Sequence, residues 1–385
     1  MAAFVPALAS ILAHLPDTRQ CRGLRHPLGA LLTAAVAAML CGATSQTAIA
    51  TWIADLAPYW RRRFGLRHPL GPDQATLSRV FATLDVVAFE AALSTWSQAL
   101  LTRLVETPPP RAAAVPLPYP TVATDGKTCR GSATAAAPGV HLLSVFSLQF
   151  ALVLAQQFVD GKTNEITVAP QLLATLALDG WLITSDALLT QRELDTQILG
   201  QGGAYFHPVK GNQPGLLHDI QDVFASPLLN DTVQTAVSTE LAGNRIIARA
   251  VNCSPALDGY SDWPGLRQVL ELWRVVTDKP TGVVRSEVVY GITSLGPAEL
   301  TPEQVLAVWQ AHWGIENRLH WVRDVTLGED QSRVRTAHGP QVLAAVRNTA
   351  LNWLRSKGET NIAQAFRHYA DHPELAFIAV GLLIG

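Results

Sequence analysis

The chain has 385 residues, of which 48% are hydrophobic and 16% charged, with a formal net charge of −2 and a pI near 6.6. That length allows two or three domains, and that composition excludes a mainly disordered chain. The near-neutral balance gives no global electrostatic reason to bind nucleic acid.

Charge is uneven nonetheless. Residues 1–70 carry Arg19, Arg22, Arg25, Arg61, Arg62, Arg63 and Arg67 against only Asp17 and Asp55. Cys21, Cys41, Cys129 and Cys253 form no C-x-x-C pair, so a zinc ribbon or a disulfide framework is not expected and a reducing cytoplasm fits. The start lacks a signal peptide's basic, then apolar, pattern. The longest apolar run, "LGALLTAAVAAMLCGA" from Leu28, is too short for a membrane span and reads as a buried, Ala-rich helix.

Along the chain, residues 1–105 show apolar positions at three- and four-residue spacing and read as a helical N-terminal domain. Asp73 or Thr76 is the expected cap of "DQATLSRVFATL". Residues 106–120, "ETPPPRAAAVPLPYP", read as a stiff Pro-rich linker. A mixed α/β region follows. "YPTVATD" reads as a strand ending at Asp125, and "HLLSVFS" with "FALVLAQQFV" as a hairpin. A helix capped at Thr163 or Asn164 comes next. "GWLITSD" is a buried strand ending at Asp186, then a glycine-closed helix and the strand "AYFHPV". Residues 212–296 read as a β-rich insertion of short strands and turns. Helix resumes at Thr301-Pro302 and is expected to run unbroken through "HWGIENRLHWV". A helix pair near 341–356 and 361–369 completes the α/β portion at 121–211 and 297–375.

Two aspartates thus close predicted buried strands, where side chains are rigidly held and reach a cleft. Each also has a plain structural role open to it, Asp125 as an Asp-Gly turn and Asp186 as a helix N-cap. A third acid lies in "HWGIENRLHWVRDV", residues 312–325. On a regular helix His312, Glu316, Leu319, His320 and Arg323 share an arc of about 100°. Three carboxylates suit Mg²⁺ or Mn²⁺, which take oxygen ligands and bridge phosphates, and two ions would serve phosphodiester chemistry. A zinc site from His312, Glu316 and His320 is the rival reading, although H-E-x-x-H is absent. Trp313 and Trp321 are expected to wedge this helix against the sheet.

The ordered set "DGKTCRGS", "HLLSVFS", "GKTNEI", "ITSDALLTQ", "YFHPVKGNQPGLL", "WPGL", "YGITSL", "HWGIENRLHWVRDVTLGEDQSRVR" and "RNTALNWLR" resembles the DDE transposases of bacterial insertion sequences. The resemblance is to the H-repeat-associated subgroup. It implies a ribonuclease H-like mixed-sheet core with a β-rich insertion, preceded by an α-helical domain. It implies that Asp125, Asp186 and Glu316 are the catalytic acids and hold the metal ions. It implies DNA as partner, at element ends and target, with a homo-oligomer assembled on the DNA and action at the bacterial nucleoid. Arg323 falls where related transposases carry a Lys. Lys127, Lys210, Asn212, Gln213, Arg318, His320 and Arg323 are the expected DNA contacts; Asn212 and Gln213 would either read bases or support their loop. The implied reaction is strand cleavage and transfer by cut and paste, the alternative being a decayed, DNA-binding relic.

Overall fold

A computed structural model describes residues 4–20, 24–108, 116–161 and 164–383. Cys21, Arg22, Thr163 and the middle of the Pro-rich linker lie outside the described residues. Six helices come first: α1 (Leu8–Ala13), α2 (Leu28–Leu40), α3 (Gln46–Asp55), α4 (Pro58–Arg63), α5 (Gln74–Thr83) and α6 (Val86–Glu106). Then follow β1 (Thr121–Cys129), β2 (Val140–Ser147), β3 (Val153–Val159), α7 (Glu165–Leu173), β4 (Leu182–Ser185), α8 (Arg192–Gly200) and β5 (Ala204–Val209). The second half holds α9 (Pro214–Ala225), β6 (Gln234–Ala242), β7 (Arg245–Ser254), β8 (Gln268–Asp278), β9 (Val284–Thr293), α10 (Pro302–His312), α11 (Gly339–Ser356), α12 (Ile362–Asp371) and α13 (Pro373–Ala379). No helix among the described residues is long and apolar enough to cross a membrane.

The chain divides into two compact units, one of residues 1–114, 126–162 and 316–385, the other of 115–125 and 163–315. The division falls inside β1, after Asp125, and again just before Glu316.

In the first unit, α2 is apolar all round, and every residue from Leu31 to Leu40 is buried. Gly29 is needed where α1 crosses, because a Cβ there would sit 2.7 Å from the Leu12 carbonyl oxygen. The cap of α5 is Asp73, whose carboxylate accepts the Thr76 N–H at 2.7 Å. The unit's strands run in the order β3, β2 and the last residues of β1, with β2 and β3 antiparallel.

A polar seam joins α6, β3 and α11. Asn352 bonds both main-chain groups of Val153 at 2.8 Å and donates to Ser97 at 3.0 Å. Glu90 accepts from the Gln156 and Gln341 amides at 2.7 and 3.0 Å. Among the described residues no cation joins that cluster of bonds, and burial pushes the Glu90 carboxyl from 4.5 up to about 7, against the pull of the two amides. The folded protein therefore keeps this proton to a higher pH than the unfolded chain. Its stabilising contribution is complete below about pH 4.5 and is lost as pH rises to about 7. The difference corresponds to roughly 3 kcal/mol. Glu90→Gln is expected to flatten this stretch of the stability–pH curve and to raise urea resistance at pH 8. Parallel curves for variant and wild type would contradict it.

In the second unit β1, β4 and β5 are parallel neighbours, with Thr121–Thr124 in register with Leu182–Ser185. β5 then pairs antiparallel with β9, and the order continues through β8 and β7 to β6. Leu270, Leu272, Val251, Val305 and Val308 form the centre of its core. α10 opens with Thr301 and Gln304 capping each other reciprocally. α9 lies where only strands and turns are expected, and its Leu216, Ile220 and Val223 are the buried stripe.

Candidate functional site

The register of β1 and β4 fixes the two aspartates. Thr124 pairs with Ser185, so Asp125 and Asp186 follow side by side on strands about 4.8 Å apart. Strand alternation turns both side chains to the same face. Asp125 does not end its strand, because β1 continues through Gly126 to Cys129. Asp186 directly follows Ser185, the last residue of β4. Its Oδ1 accepts the Leu189 N–H at 3.2 Å, capping a 3₁₀ turn at Ala187–Leu189 and fixing the rotamer.

The segment after Asp186 is held along its length. Asn212 donates to the Ala187 carbonyl at 2.6 Å, and Gln213 donates to the Thr190 carbonyl at 2.9 Å. Thr190 donates to the Pro208 carbonyl at 2.7 Å. The two amides thus support the loop, the second of the roles open to them. Lys210, in the same turn, is exposed. Asn212→Ala and Gln213→Ala are each expected to cost about 1 kcal/mol in urea unfolding. An unchanged midpoint in both would show that these bonds do not form in solution.

Sequence reasoning missed the polar chain behind Asp186. Ser185 and His207 Nδ1 are 2.9 Å apart, His207 Nε2 lies 3.1 Å from Asp195 Oδ1, and Trp263 donates to Asp195 Oδ2 at 2.8 Å. All four residues are buried, and Tyr205 stacks on His207. The signal was present as polar residues in apolar runs, "LITS" and "YFHPV". Full enclosure of Ser185 rules it out as a surface nucleophile. On the other side of β4, Thr184 is bonded to His312 Nδ1 at 2.9 Å, and burial together with the His207 charge pushes His312 down to about 4.

That contact ties the end of α10 to a point two residues before Asp186. The α-helix stops there, and the chain continues in π-helical turns at Glu316–His320 and Val322–Thr326. The single helical face expected over 312–323 therefore does not exist, because π-type i→i+5 bonding changes the angle per residue. Of the three residues of the zinc reading, Glu316 and His320 remain 2.9 Å apart, whereas His312 is bonded to Thr184. Glu316 is exposed and accepts from His320 Nδ1 at 2.9 Å. Burial, followed by the Arg323 charge, holds His320 down to about 4 although the Glu316 bond opposes it.

Several expected DNA contacts face inward. Arg323 is 0% exposed, and its guanidinium lies 2.8 Å from Glu329, which also meets Arg347 at 3.2 Å. It is a core ion pair and not a surface cation. Lys127 is buried and lies 2.6 Å from Asp324. Arg318 is not enclosed in this way: it is partly buried, donates to the Leu148 carbonyl at 2.6 Å and lines a cleft. Trp313 and Trp321 also depart from expectation: at 59% and 55% exposure they wedge nothing against the sheet.

Residues 9–97 match the family model described as "DDE_Tnp_1-associated", and residues 105–353 the model described as "Transposase DDE domain". The chain is 29% identical over 361 residues to the Escherichia coli O157:H7 protein named "Putative transposase YncI", covering 91% of this chain and 88% of that one. It is 27% identical over 359 residues to "H repeat-associated putative transposase YhhI" of Escherichia coli K12, covering 90% of each. A Xanthobacter autotrophicus relative, "Uncharacterized protein in dhlA 3'region", is 30% identical over 274 residues, 70% of this chain and 88% of that protein. With a transposase domain matched over more than half its length, and an H-repeat-associated relative aligned along nearly all of it, the chain belongs to the DDE transposase family, in its H-repeat-associated group.

Proposed function

We propose that this protein cuts DNA at the ends of a mobile element and joins the freed ends to target DNA, using divalent ions held by Asp125, Asp186 and Glu316. The observation that supports the reading is the parallel register of β1 and β4, which ends with Thr124 opposite Ser185, one residue before Asp125 and Asp186. Glu316 follows four residues after His312, which is anchored on β4 at Thr184. We infer a ribonuclease H-like core for the same region; the β2–β3 hairpin and the parallel β1, β4 and β5 support it.

The donor set fits Mg²⁺ or Mn²⁺, since all three groups offer hard carboxylate oxygens. Two such ions, when bound, supply positive charge at the attacking and leaving oxygens of a phosphodiester. The protein's share is positioning. The Leu189 N–H orients the Asp186 carboxylate, the continuous strand fixes Asp125, and neutral His320 steadies Glu316.

DNA is the partner in this reading. Lys210 is an exposed cation two residues before Asn212, in the turn that supports the segment after Asp186, and would meet a phosphate. Arg62 and Arg63 on α4 are exposed and would engage element ends, although Arg63 also donates to the Leu382 carbonyl. Assembly on DNA would be homo-oligomeric. The test is nicking of an element-end duplex by purified protein with Mg²⁺ or Mn²⁺. Metal-dependent nicks at the element boundary are expected. End binding without nicking in either metal would favour the decayed relic, against which the intact acids argue.

A further inference from the structure

One half of "HWGIENRLHWVRDV" is unexplained by metal binding: the exposed Trp321 and the arginine near it. Both line a cleft of about 330 Å³ within the first unit, together with Arg355, Asn317, Gln149 and Glu359. Arg318 donates to the Leu148 carbonyl at 2.6 Å. Arg355 donates to the Ala151 carbonyl at 2.7 Å and to the Arg318 carbonyl. Its guanidinium also lies 5.7 Å over the Phe146 ring. These partners are neutral. Neither arginine has a carboxylate ion-pair partner among the described residues, unlike Arg323 and Arg347 on the same segment and on α11. Burial, followed by the nearby Arg318 charge, pushes Arg355 down to about 9. Two like charges are thus fixed by main-chain carbonyls at the β2–β3 turn and left without a counter-ion. An anion in the cleft would relieve that repulsion.

We propose that this cleft binds one unpaired nucleotide of a DNA strand, its phosphate at Arg318 and Arg355 and its base against Trp321. The volume is at the lower end of small-ligand sites, which suits a single nucleotide. Indole stacking accepts any base, since each offers a π face. A duplex keeps its bases stacked inside and would leave the indole unused. Glu359 stands at the rim as the one acid of the lining and opposes the anion. The proposal rests on the reading that the protein acts on DNA, and it places a strand-holding site beside Glu316 in the chain.

The test is binding of fluorescein-labelled dT20, alone and annealed to its complement, by fluorescence polarisation in EDTA. Trp321→Ala is expected to weaken dT20 binding about 10-fold and duplex binding less than about 2-fold. Trp321→Phe should retain most of the dT20 affinity. Arg318→Gln should lower the slope of log affinity against log salt on dT20 by about 0.7. Glu359→Gln, at an exposed position, should tighten dT20. Equal dT20 affinity for Trp321→Ala and wild type would overturn the proposal, as would equal losses on duplex and single strand. Because the assay excludes metal, it is separable from cleavage. Normal dT20 behaviour in a protein that never nicks would sink the transposition reading and leave the cleft standing.

Discussion

Glu329→Ala is expected to destabilise the protein by about 3–5 kcal/mol, a large part of a domain's whole stability. Glu329 is 2% exposed and is the one carboxylate between Arg323 and Arg347, themselves 0% and 2% exposed. Arg323 donates from Nε at 2.9 Å, Arg347 lies 3.2 Å away and also donates to the Thr44 carbonyl. Burial pushes the Glu329 carboxyl up, but the two arginine charges outweigh it and hold it below its ordinary value. Cys129, 3.9 Å from Arg323, is pushed up to about 12 by burial and stays a thiol, so it offers no substitute charge. Removing Glu329 leaves two buried guanidiniums unpaired. Urea unfolding reads the loss directly. Glu329→Gln, which keeps an acceptor, should lose less. A shift under about 1 kcal/mol for Glu329→Ala would show that the triad is hydrated or absent in solution.

The second large effect concerns the acids. Asp125→Asn, Asp186→Asn and Glu316→Gln are each expected to lower metal-dependent nicking by about a thousandfold or more, while melting temperatures stay close to wild type. The asymmetry with Glu329 is physical. Glu316 is exposed and Asp125 and Asp186 are partly so, whereas Glu329 is enclosed between two buried guanidiniums. Each isosteric amide keeps the shape and removes the negative charge. Near-normal nicking by any one of them would remove that residue from the site.

The strands β2, β3, β4 and β5 were legible from alternation and turn residues, and so was the place of Asp186 directly after β4, whereas Asp125 lies inside β1 and does not close it. The start of α10 was legible too, from Thr301 and Pro302. Its end was not. Sequence periodicity assumes one pitch, and the π turns after His312 break that assumption without any proline to announce it. The error propagates to Arg323, which regular geometry placed beside Glu316 and which is enclosed with Glu329. Lys127 misleads for a related reason: its partner Asp324 is remote in the chain, and charge type alone does not reveal a distant counter-ion. α9 was hidden by "NQPG", which reads as a turn and instead places Pro214 at the first helical position. The exposure of Trp313 and Trp321 was invisible because a tryptophan's default is the core.

The most direct measurement is Mn²⁺ binding followed by electron paramagnetic resonance of the free ion, on wild type and on the chain lacking all three carboxylates. Wild type should take up Mn²⁺ saturably, each single replacement should weaken that uptake about 10-fold or more, and the triple replacement should abolish it with the fold intact by circular dichroism. Uptake by the triple replacement equal to wild type would contradict the account.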